Sequence, residues 1–228
     1  MRLIKTITCD TCPLKCDISL TAREMNIEHS LAPVHAIYKK RENICRQYTK
    51  VTHAYILVEG NAKMYITGNN NRNIILNILL PSNYIGLMSV YGSNDYQYSV
   101  AAITDCHTCQ VDIRMIKEMY FNNHNFMLKL NKAFGDSVTF IMQKLISLNQ
   151  KQTRGKVAES LLYLARLHES DNFTLTLTRK ELGEFSAISE ENVVRVLSEF
   201  KNEGIVEVKG KELFLNNTEM LEKISTVG

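Results

Sequence analysis

The sequence predicts an α+β protein in which a β-sandwich or barrel precedes a long helix and a compact, mainly helical unit. Three observations support this order. Residues 20–114 contain short apolar segments separated by turn signals. Residues 115–150 contain no proline and carry apolar residues at helical spacing, and residues 151–228 combine short amphipathic helices with one hairpin. A cysteine-rich segment, residues 1–19, comes before these three regions.

Length and composition restrict the class of protein. The chain has 228 residues, of which 45% are apolar and 22% are charged, as in ordinary soluble globular proteins. No apolar run approaches the ~20 residues of a transmembrane helix, and the N-terminus has no apolar signal sequence. We therefore expect a protein of the reducing cytoplasm. The net charge is +3, but residues 151–228 carry 11 Lys/Arg and 13 Asp/Glu, a balance of −2, which argues against a charge-driven, non-specific nucleic-acid binder.

The first folded region is predicted to be all β. Apolar segments of strand length alternate with turn signals, which include the Gly-Asn-Asn-Asn-Arg sequence at 68–72. Several short strands at this spacing are typical of a sandwich or barrel. The expected strands are 54–60, 63–67, 73–80, 98–103 and 109–113.

The second region is predicted to be one long helix. Between residues 115 and 150, apolar residues recur at intervals of three and four. A narrow apolar stripe on a long helix is typical of packing against a second copy of the chain. The alternative is a helix that packs on its own β-region. We predict a homodimer through the stripe Met127, Leu130, Phe134, Val138, Ile141, Leu145 and Leu148.

The third region is predicted to form a winged helix-turn-helix. Thr178 and Glu181 have the spacing of a capping box that starts one short helix. Ser189 caps a second helix, and Gly204 ends it. The expected helices are 179–185 and 190–203, joined around Ala187, and the expected strands are 173–177, 205–208 and 213–215.

The second helix of such a pair enters the major groove through its N-terminal turns. Its polar side carries Glu190, Glu191, Asn192 and Arg195. Glu191 and Arg195 are four residues apart and face the same way. Arginine binds guanine through two hydrogen bonds and glutamate accepts from cytosine N4, so this pair fits base recognition. The alternative is an exposed ion pair on an ordinary helix.

The order of these regions resembles the Crp/Fnr family of bacterial transcription factors over nearly the whole chain. The most specific match is Ser-Glu-Glu-Asn-Val-Val-Arg-Val-Leu at 189–197, which is similar to the family's recognition helix. The other segments that carry the resemblance are 55–60, 84–86, 153–161, 177–182, 204–205 and 209–211. The resemblance implies that the β-region is a jelly roll of the cyclic-nucleotide-binding type and that the partners are double-stranded DNA and RNA polymerase.

The resemblance also implies individual DNA contacts. Glu191 and Arg195 would contact bases, with Glu190 and Asn192 beside them on the recognition helix. The residues expected at phosphates or on the wing are Thr178, Arg179, Ser189, Lys209 and Lys211.

The phosphate cassette of the cyclic-nucleotide-binding relatives is altered in this sequence. In family members that bind cAMP, a glutamate accepts from the ribose hydroxyl and an arginine neutralises the cyclic phosphate. Here the corresponding positions are Gly86, Leu87, Tyr98 and Ser99, so both charged groups are missing. A buried phosphate without a cation is costly. We therefore predict that cAMP and cGMP are not the ligands, although an unrelated effector still fits such a cavity.

The cysteines are clustered. Cys9, Cys12 and Cys16 fall within eight residues, and Cys106 and Cys109 form a second close pair. In a cytoplasmic chain such spacing favours metal or redox chemistry over disulfides. Resemblance to the oxygen-sensing Fnr branch implies a [4Fe–4S] cluster on Cys9, Cys12, Cys16 and Cys109, with Cys106 as a competing ligand. The alternatives are zinc on the same thiolates, a thiol redox switch, or cysteines that bind nothing.

These observations predict a homodimeric transcriptional regulator that couples effector or redox sensing to DNA binding. No Ser-His-Asp set, phosphate loop or paired-carboxylate motif indicates an enzyme. The alternative class is a redox or ligand-binding protein that uses the cysteine cluster and carries a degenerate DNA-binding unit.

Overall fold

The computed structural model describes residues 1–4, 6–68, 70–92 and 94–228. The chain divides into two compact units. One comprises Met1–Thr67 and Asn77–Phe140, and the other comprises Gly68–Leu76 and Ile141–Gly228. Asn69, part of the predicted turn at 68–72, lies outside the described residues. Among the described residues, no helix is both long and apolar enough to cross a membrane.

The β-region consists of two antiparallel sheets, which confirms the predicted sandwich class. The first has the order β1 (Arg2–Ile4), β2 (Val34–Tyr38), β9 (Cys106–Asp112), β4 (His53–Glu59) and β7 (Tyr84–Ile85). The second has the order β3 (Asn43–Cys45), β8 (Ser99–Ala102), β5 (Ala62–Thr67) and β6 (Asn73–Leu79).

The core of the first unit joins the five-stranded sheet to helices. Ala54, Ile56 and Val58 alternate along β4, and Cys109 and Val111 do so on β9, so these side chains share one buried face. The helices that complete this core are α1 (Asp17–Glu24), α2 (Glu28–Leu31), α3 (Ile113–Asn122) and α4 (His124–Gln150).

Residues 1–19, predicted as a cysteine-rich N-terminal segment, belong to this unit. Strand β1 pairs antiparallel with β2, and α1 begins at Asp17. The sequence signal was weak because β1 has three residues. In α1 the only buried apolar side chains are Ile18 and Ala22, too few for a visible helical period.

The predicted single helix at 115–150 is two helices. The backbone of Asn123 is extended, with φ −129° and ψ 107°, and separates α3 from α4. Its side-chain oxygen accepts a hydrogen bond from the N–H of Phe126 at 2.9 Å, as an N-cap does. The prediction of one continuous helix is therefore wrong at Asn123, because a local asparagine cap competes with helix continuation.

The second unit contains the predicted winged helix-turn-helix. Its three strands form an antiparallel sheet in the order β10 (Asn172–Thr174), β12 (Glu212–Leu215) and β11 (Val206–Lys209). The predicted strand at 173–177 is shorter, because Thr174 pairs with Glu212 and the next partner, Lys211, already lies in the turn before β12. The C-terminal helix was not predicted. The elements are α5 (Thr153–His168), β10 (Asn172–Thr174), α6 (Arg179–Ser186), α7 (Glu190–Asn202), β11 (Val206–Lys209), β12 (Glu212–Leu215) and α8 (Thr218–Val227).

The turn between α6 and α7 depends on two small residues. Ala187 adopts the left-handed conformation with φ +50°, and the N–H of Ile188 donates to the carbonyl of Gly183 at 3.0 Å. A Cβ atom at Gly183 would lie 2.8 Å from the carbonyl oxygen of Ile188. The close approach of the two helices therefore requires glycine at this position.

Candidate functional site

The first two turns of α7 present polar side chains to solvent. Ser189 caps the helix, since its side-chain oxygen accepts from the N–H of Asn192 at 3.3 Å. Glu190 and Glu191 are exposed, whereas Val193 packs into the core of the unit. The predicted recognition residues thus share the accessible end of one helix.

Arg195 is exposed on the same helix and pairs with residues on either side of it. Its Nη1 donates to Glu199 at 2.7 Å and its Nη2 donates to the side-chain oxygen of Asn192 at 3.3 Å. Arg195 therefore forms its ion pair with Glu199. The alternative prediction had instead paired Arg195 with Glu191. An exposed pair of this spacing contributes only ~0.3–0.5 kcal/mol, so Arg195 can leave Glu199 for a base at little cost.

A second arginine, missed by the sequence analysis, holds Glu199 in place. Nη1 of Arg154 on α5 lies 3.0 Å from Glu199 and 2.8 Å from Glu203. Its guanidinium carbon also lies 5.0 Å from the ring centroid of Phe200. Glu199 would therefore keep a cationic partner if Arg195 turned away. This pairing between helices depends on tertiary structure and has no local sequence signal.

The start of α6 carries the first two predicted phosphate contacts. Thr178 and Glu181 form the predicted capping box, with hydrogen bonds of 3.1 and 2.8 Å. Arg179 is half-buried, and its Nη1 has no hydrogen-bond partner in the described part of the chain. Burial lowers the pKa of this guanidinium. Because Nη1 is buried, a DNA phosphate could contact Arg179 only through the exposed part of its side chain.

The wing places two lysines at a tight turn. Lys209 pairs with Glu212 across the hairpin, which leaves Gly210 and Lys211 as the two-residue turn. Gly210 has φ +63°, as such turns require. Nζ of Lys209 lies 2.9 Å from Glu207, and Lys211 is exposed. The wing tip is therefore free to approach a DNA backbone.

The predicted effector cassette makes internal contacts. The hydroxyl of Tyr98 accepts a hydrogen bond from the N–H of Gly86 at 3.0 Å, and burial raises the pKa of Tyr98 to about 12. Leu87 belongs to the hydrophobic core, and the hydroxyl of Ser99 accepts from the N–H of Gln47 at 3.0 Å. These four residues offer no charged side chain to a cyclic phosphate.

Four cysteines meet at one small cavity in the first unit. Cys9, Cys12 and Cys16 come from the N-terminal segment, and Cys109 comes from β9. The described residues that line the cavity include no lysine or arginine. Burial raises the pKa of the Cys109 thiol, and the neighbouring thiols raise it further. The pKa of Cys9 is raised for the same reasons.

Cys106, the predicted competing ligand, does not line this cavity. It lies three positions before Cys109 on the same strand, an odd spacing, so the two side chains point to opposite faces of the sheet. Its thiol donates to the carbonyl of Asn61 at 3.2 Å, and burial raises its pKa to about 11. Cys106 thus behaves as a buried structural thiol.

The four cysteine sulfur atoms are of the kind that bind metals, but their side chains are not arranged around a metal position. In the part of the chain that the structure describes, no group of three or more His, Cys, Asp or Glu side chains is arranged to hold a metal ion. Four thiolates are nevertheless the ligand set that both iron–sulfur clusters and structural zinc prefer. Bound iron or zinc would also offset the burial and the neighbouring charge that raise the pKa of the Cys9 and Cys109 thiols.

Comparison with protein families agrees with both folded regions. Residues 36–123 match the model of the cyclic nucleotide-binding domain, and residues 155–224 match the Crp-like helix-turn-helix domain. Together the two matches span more than half of the chain. The chain belongs to the Crp/Fnr family of transcriptional regulators.

Individual relatives of this Crp/Fnr regulator are distant but extend over most of its length. The cAMP-activated global transcriptional regulator CRP of Salmonella typhimurium is 21% identical, over 79% of this chain and 89% of the relative. The transcriptional activator protein FnrL of Cereibacter sphaeroides is 25% identical, over 89% and 85%. The solved structure of FixK2 from Bradyrhizobium japonicum shares the fold, with a TM-score of 0.78 at 21% identity, over 87% of this chain and 100% of that one.

We expect this Crp/Fnr regulator not to bind cAMP with useful affinity. Leu87 and Tyr98 replace the ribose and phosphate partners, and the Tyr98 hydroxyl already bonds to Gly86. Isothermal titration calorimetry should show no heat of binding at micromolar cAMP, with a cAMP-activated family member as positive control. Saturable binding in the micromolar range would contradict this interpretation of the cassette.

Proposed function

We propose that the chain is a homodimeric, sequence-specific DNA-binding regulator that senses oxygen or nitric oxide through a [4Fe–4S] cluster. The cluster would be held by Cys9, Cys12, Cys16 and Cys109. The observation that carries this proposal is the convergence of these four thiols on one cavity. Such a cluster supplies reactivity toward oxygen and nitric oxide, and the reducing cytoplasm would keep its thiolate ligands available.

The cysteine segment is connected to α4 by a shared core and by polar contacts. Cys9, Cys12 and Cys16 pack against the core cluster that contains Phe126 and Leu130 of α4. Asp17, the residue after Cys16, pairs with Nζ of Lys129 at 2.6 Å. Gathering the thiols around a ligand would therefore move α1 and the N-terminal half of α4 together.

The following half of α4 offers a dimerisation surface. Val138, Met142, Leu145 and Ile146 are 38%, 60%, 53% and 56% exposed. Their spacing places them on one stripe of the helix. Leu130, part of the predicted seam, is instead buried in the core of the first unit. The proposed seam therefore begins after Leu130, and a second copy of the chain would cover it.

This arrangement supports a route from signal to DNA. A change at the cysteine cavity would alter the support of α4, and α4 carries the stripe that would align two chains. The distance between two α7 helices must match the spacing of two half-sites, so a shift along the seam changes DNA affinity. Contact with RNA polymerase, which the family resemblance implies, stays a prediction.

The other predicted classes receive less support. The winged helix-turn-helix keeps its caps, its tight turn, an exposed recognition surface and a basic wing tip, which argues against a degenerate DNA-binding unit. Zinc on the same four thiols would stabilise the segment without sensing oxygen, and a thiol switch would need no iron. Iron and sulfide content distinguishes these cases from a cluster.

The deciding experiment measures DNA binding before and after exposure to air. Protein purified and reconstituted without oxygen would be used to select a preferred duplex from a random pool. Affinity for that duplex is expected to change about tenfold or more when air destroys the cluster, a typical size for allosteric coupling. Equal affinity in the two states, or the absence of iron and sulfide, would contradict the proposed sensing function.

Two single substitutions test the proposed DNA contacts. Arg195→Ala should weaken binding to the selected duplex by ~1–3 kcal/mol and relax the preference at one base pair. Lys211→Ala should weaken binding to all sequences about equally, because a phosphate contact carries no base information. Fluorescence anisotropy with the selected duplex and single-base variants measures both effects. If Arg195→Ala lowers affinity uniformly, Arg195 does not contact a base.

A further inference from the structure

A buried histidine pair adjoins the cysteine cavity. His35 lies on β2 directly opposite Cys109 on β9, and it lines the same cavity as the four thiols. It is 1% exposed. Its Nδ1 lies 2.8 Å from Nε2 of His107, which is also buried.

Only one of the two ring nitrogens of His35 takes part in the contact with His107. Nε2 of His35 is buried and has no hydrogen-bond partner among the residues that the structure describes. Buried polar atoms in folded proteins are almost always paired, so an orphan beside a cavity requires an explanation. Ser19, the hydroxyl residue at this cavity, is already paired, because it donates to the carbonyl of Cys16 at 2.9 Å. A ligand in the cavity would satisfy His35.

The contact between the two histidines permits two assignments of the protons. If Nδ1 of His35 donates, its Nε2 carries a lone pair and could ligate a metal. If Nε2 of His107 donates instead, Nε2 of His35 carries the proton and is a hydrogen-bond donor. Four thiolates already complete the protein ligands of a [4Fe–4S] cluster and bring negative charge into the cavity. A lone pair facing that charge would be repelled, and an N–H group would be attracted.

We propose that His35 donates a hydrogen bond from Nε2 to a sulfur atom of the cluster held by the four cysteines, with His107 fixing its tautomer. This inference rests on the proposed function. His35 is then a positioning and tuning residue and not a ligand. Hydrogen bonds to cluster sulfurs stabilise the more negative state, so they raise the reduction potential.

The test compares reconstituted wild type with His35→Phe and His35→Gln. Phenylalanine fills the space of the ring without a donor, and glutamine retains an N–H donor. The midpoint potential is expected to fall in His35→Phe and to be partly restored in His35→Gln. Thr108→Val is the matched control, because it removes another unpartnered buried polar atom, on the neighbouring strand β9 but not among the residues that line the cavity. That variant should keep the wild-type potential.

A measurement on the wild type alone makes the proposal independent of variant folding. Electron–nuclear double resonance of the reduced protein, labelled with ¹⁵N-histidine, should show a weak nitrogen coupling and an exchangeable proton near the cluster. A strong nitrogen coupling would identify His35 as a ligand and overturn the inference. So would wild-type values of the potential and of the proton coupling in His35→Phe. A wild type without iron and sulfide would overturn the proposed function as well, which distinguishes the two failures.

Discussion

Replacing Cys109 by serine is expected to abolish cluster assembly. Cys109 is the one cavity cysteine that lies on a strand of the core sheet, while the other three come from the N-terminal segment. Without its thiolate the cavity retains three soft ligands, and a [4Fe–4S] cluster needs about four. Anaerobic reconstitution of the wild type should yield about four iron and four sulfide per chain, and Cys109→Ser should retain little of either.

Cys106→Ser is the matched control for this experiment. Cys106 lies on the same strand and is equally buried, but its thiol bonds to the carbonyl of Asn61 and does not line the cavity. This variant should therefore assemble a wild-type amount of cluster. The assignment fails if Cys109→Ser retains wild-type iron and sulfide, or if Cys106→Ser loses them. Samples must be prepared without oxygen, because air would destroy the proposed cluster.

The contrast between Cys106 and Cys109 shows how far a sequence can predict a site. Close spacing made both cysteines candidates, but only the pairing of β9 with its neighbours determines which face of the sheet each occupies. The N-terminal cysteines could be grouped from spacing alone. Their approach to Cys109 depends on packing of the segment against the core, which a periodic pattern does not encode.

The contacts of His35 and Arg154 also could not be predicted from a local sequence pattern. His35 belongs to no motif in the sequence, yet strand register places it opposite Cys109. Arg154 precedes its partner Glu199 by 45 residues, so no local rule connects them. By contrast, the capping box at Thr178 and the turn around Ala187 were predictable, because each is determined by residues within a few positions of one another.

The region predicted as one long helix contains both a correct and an incorrect prediction. Apolar spacing correctly predicted helical structure on both sides of Asn123, but it could not show that this side chain would cap a new helix. The spacing also assigned Leu130 to the seam, whereas the fold uses this residue in the core of its own unit. Periodicity predicts which residues share a helix face and leaves open what covers that face.

Replacing Leu145 by glutamate is expected to convert the dimer into monomers. Leu145 is half-exposed within the apolar stripe, so the second copy of the chain would bury it. Each buried leucine contributes ~1.5–3 kcal/mol, and a two-fold interface contains it twice. The substitution should therefore raise the dissociation constant of the dimer by ~10²–10⁴-fold. Light scattering at micromolar concentration should show a dimeric wild type and a monomeric variant.

Gln143→Glu provides a control of equal charge on the same helix. Gln143 is exposed and lies about 160° around the helix from Leu145, so a carboxylate there would stay in water. This variant should remain dimeric and bind DNA as the wild type does, whereas Leu145→Glu should lose affinity for a two-half-site duplex but retain the weak binding of one winged helix to one half-site. A monomeric wild type would contradict the proposed seam. Equal dissociation of the two variants would show that added charge alone, and not burial of the stripe, separates the chains.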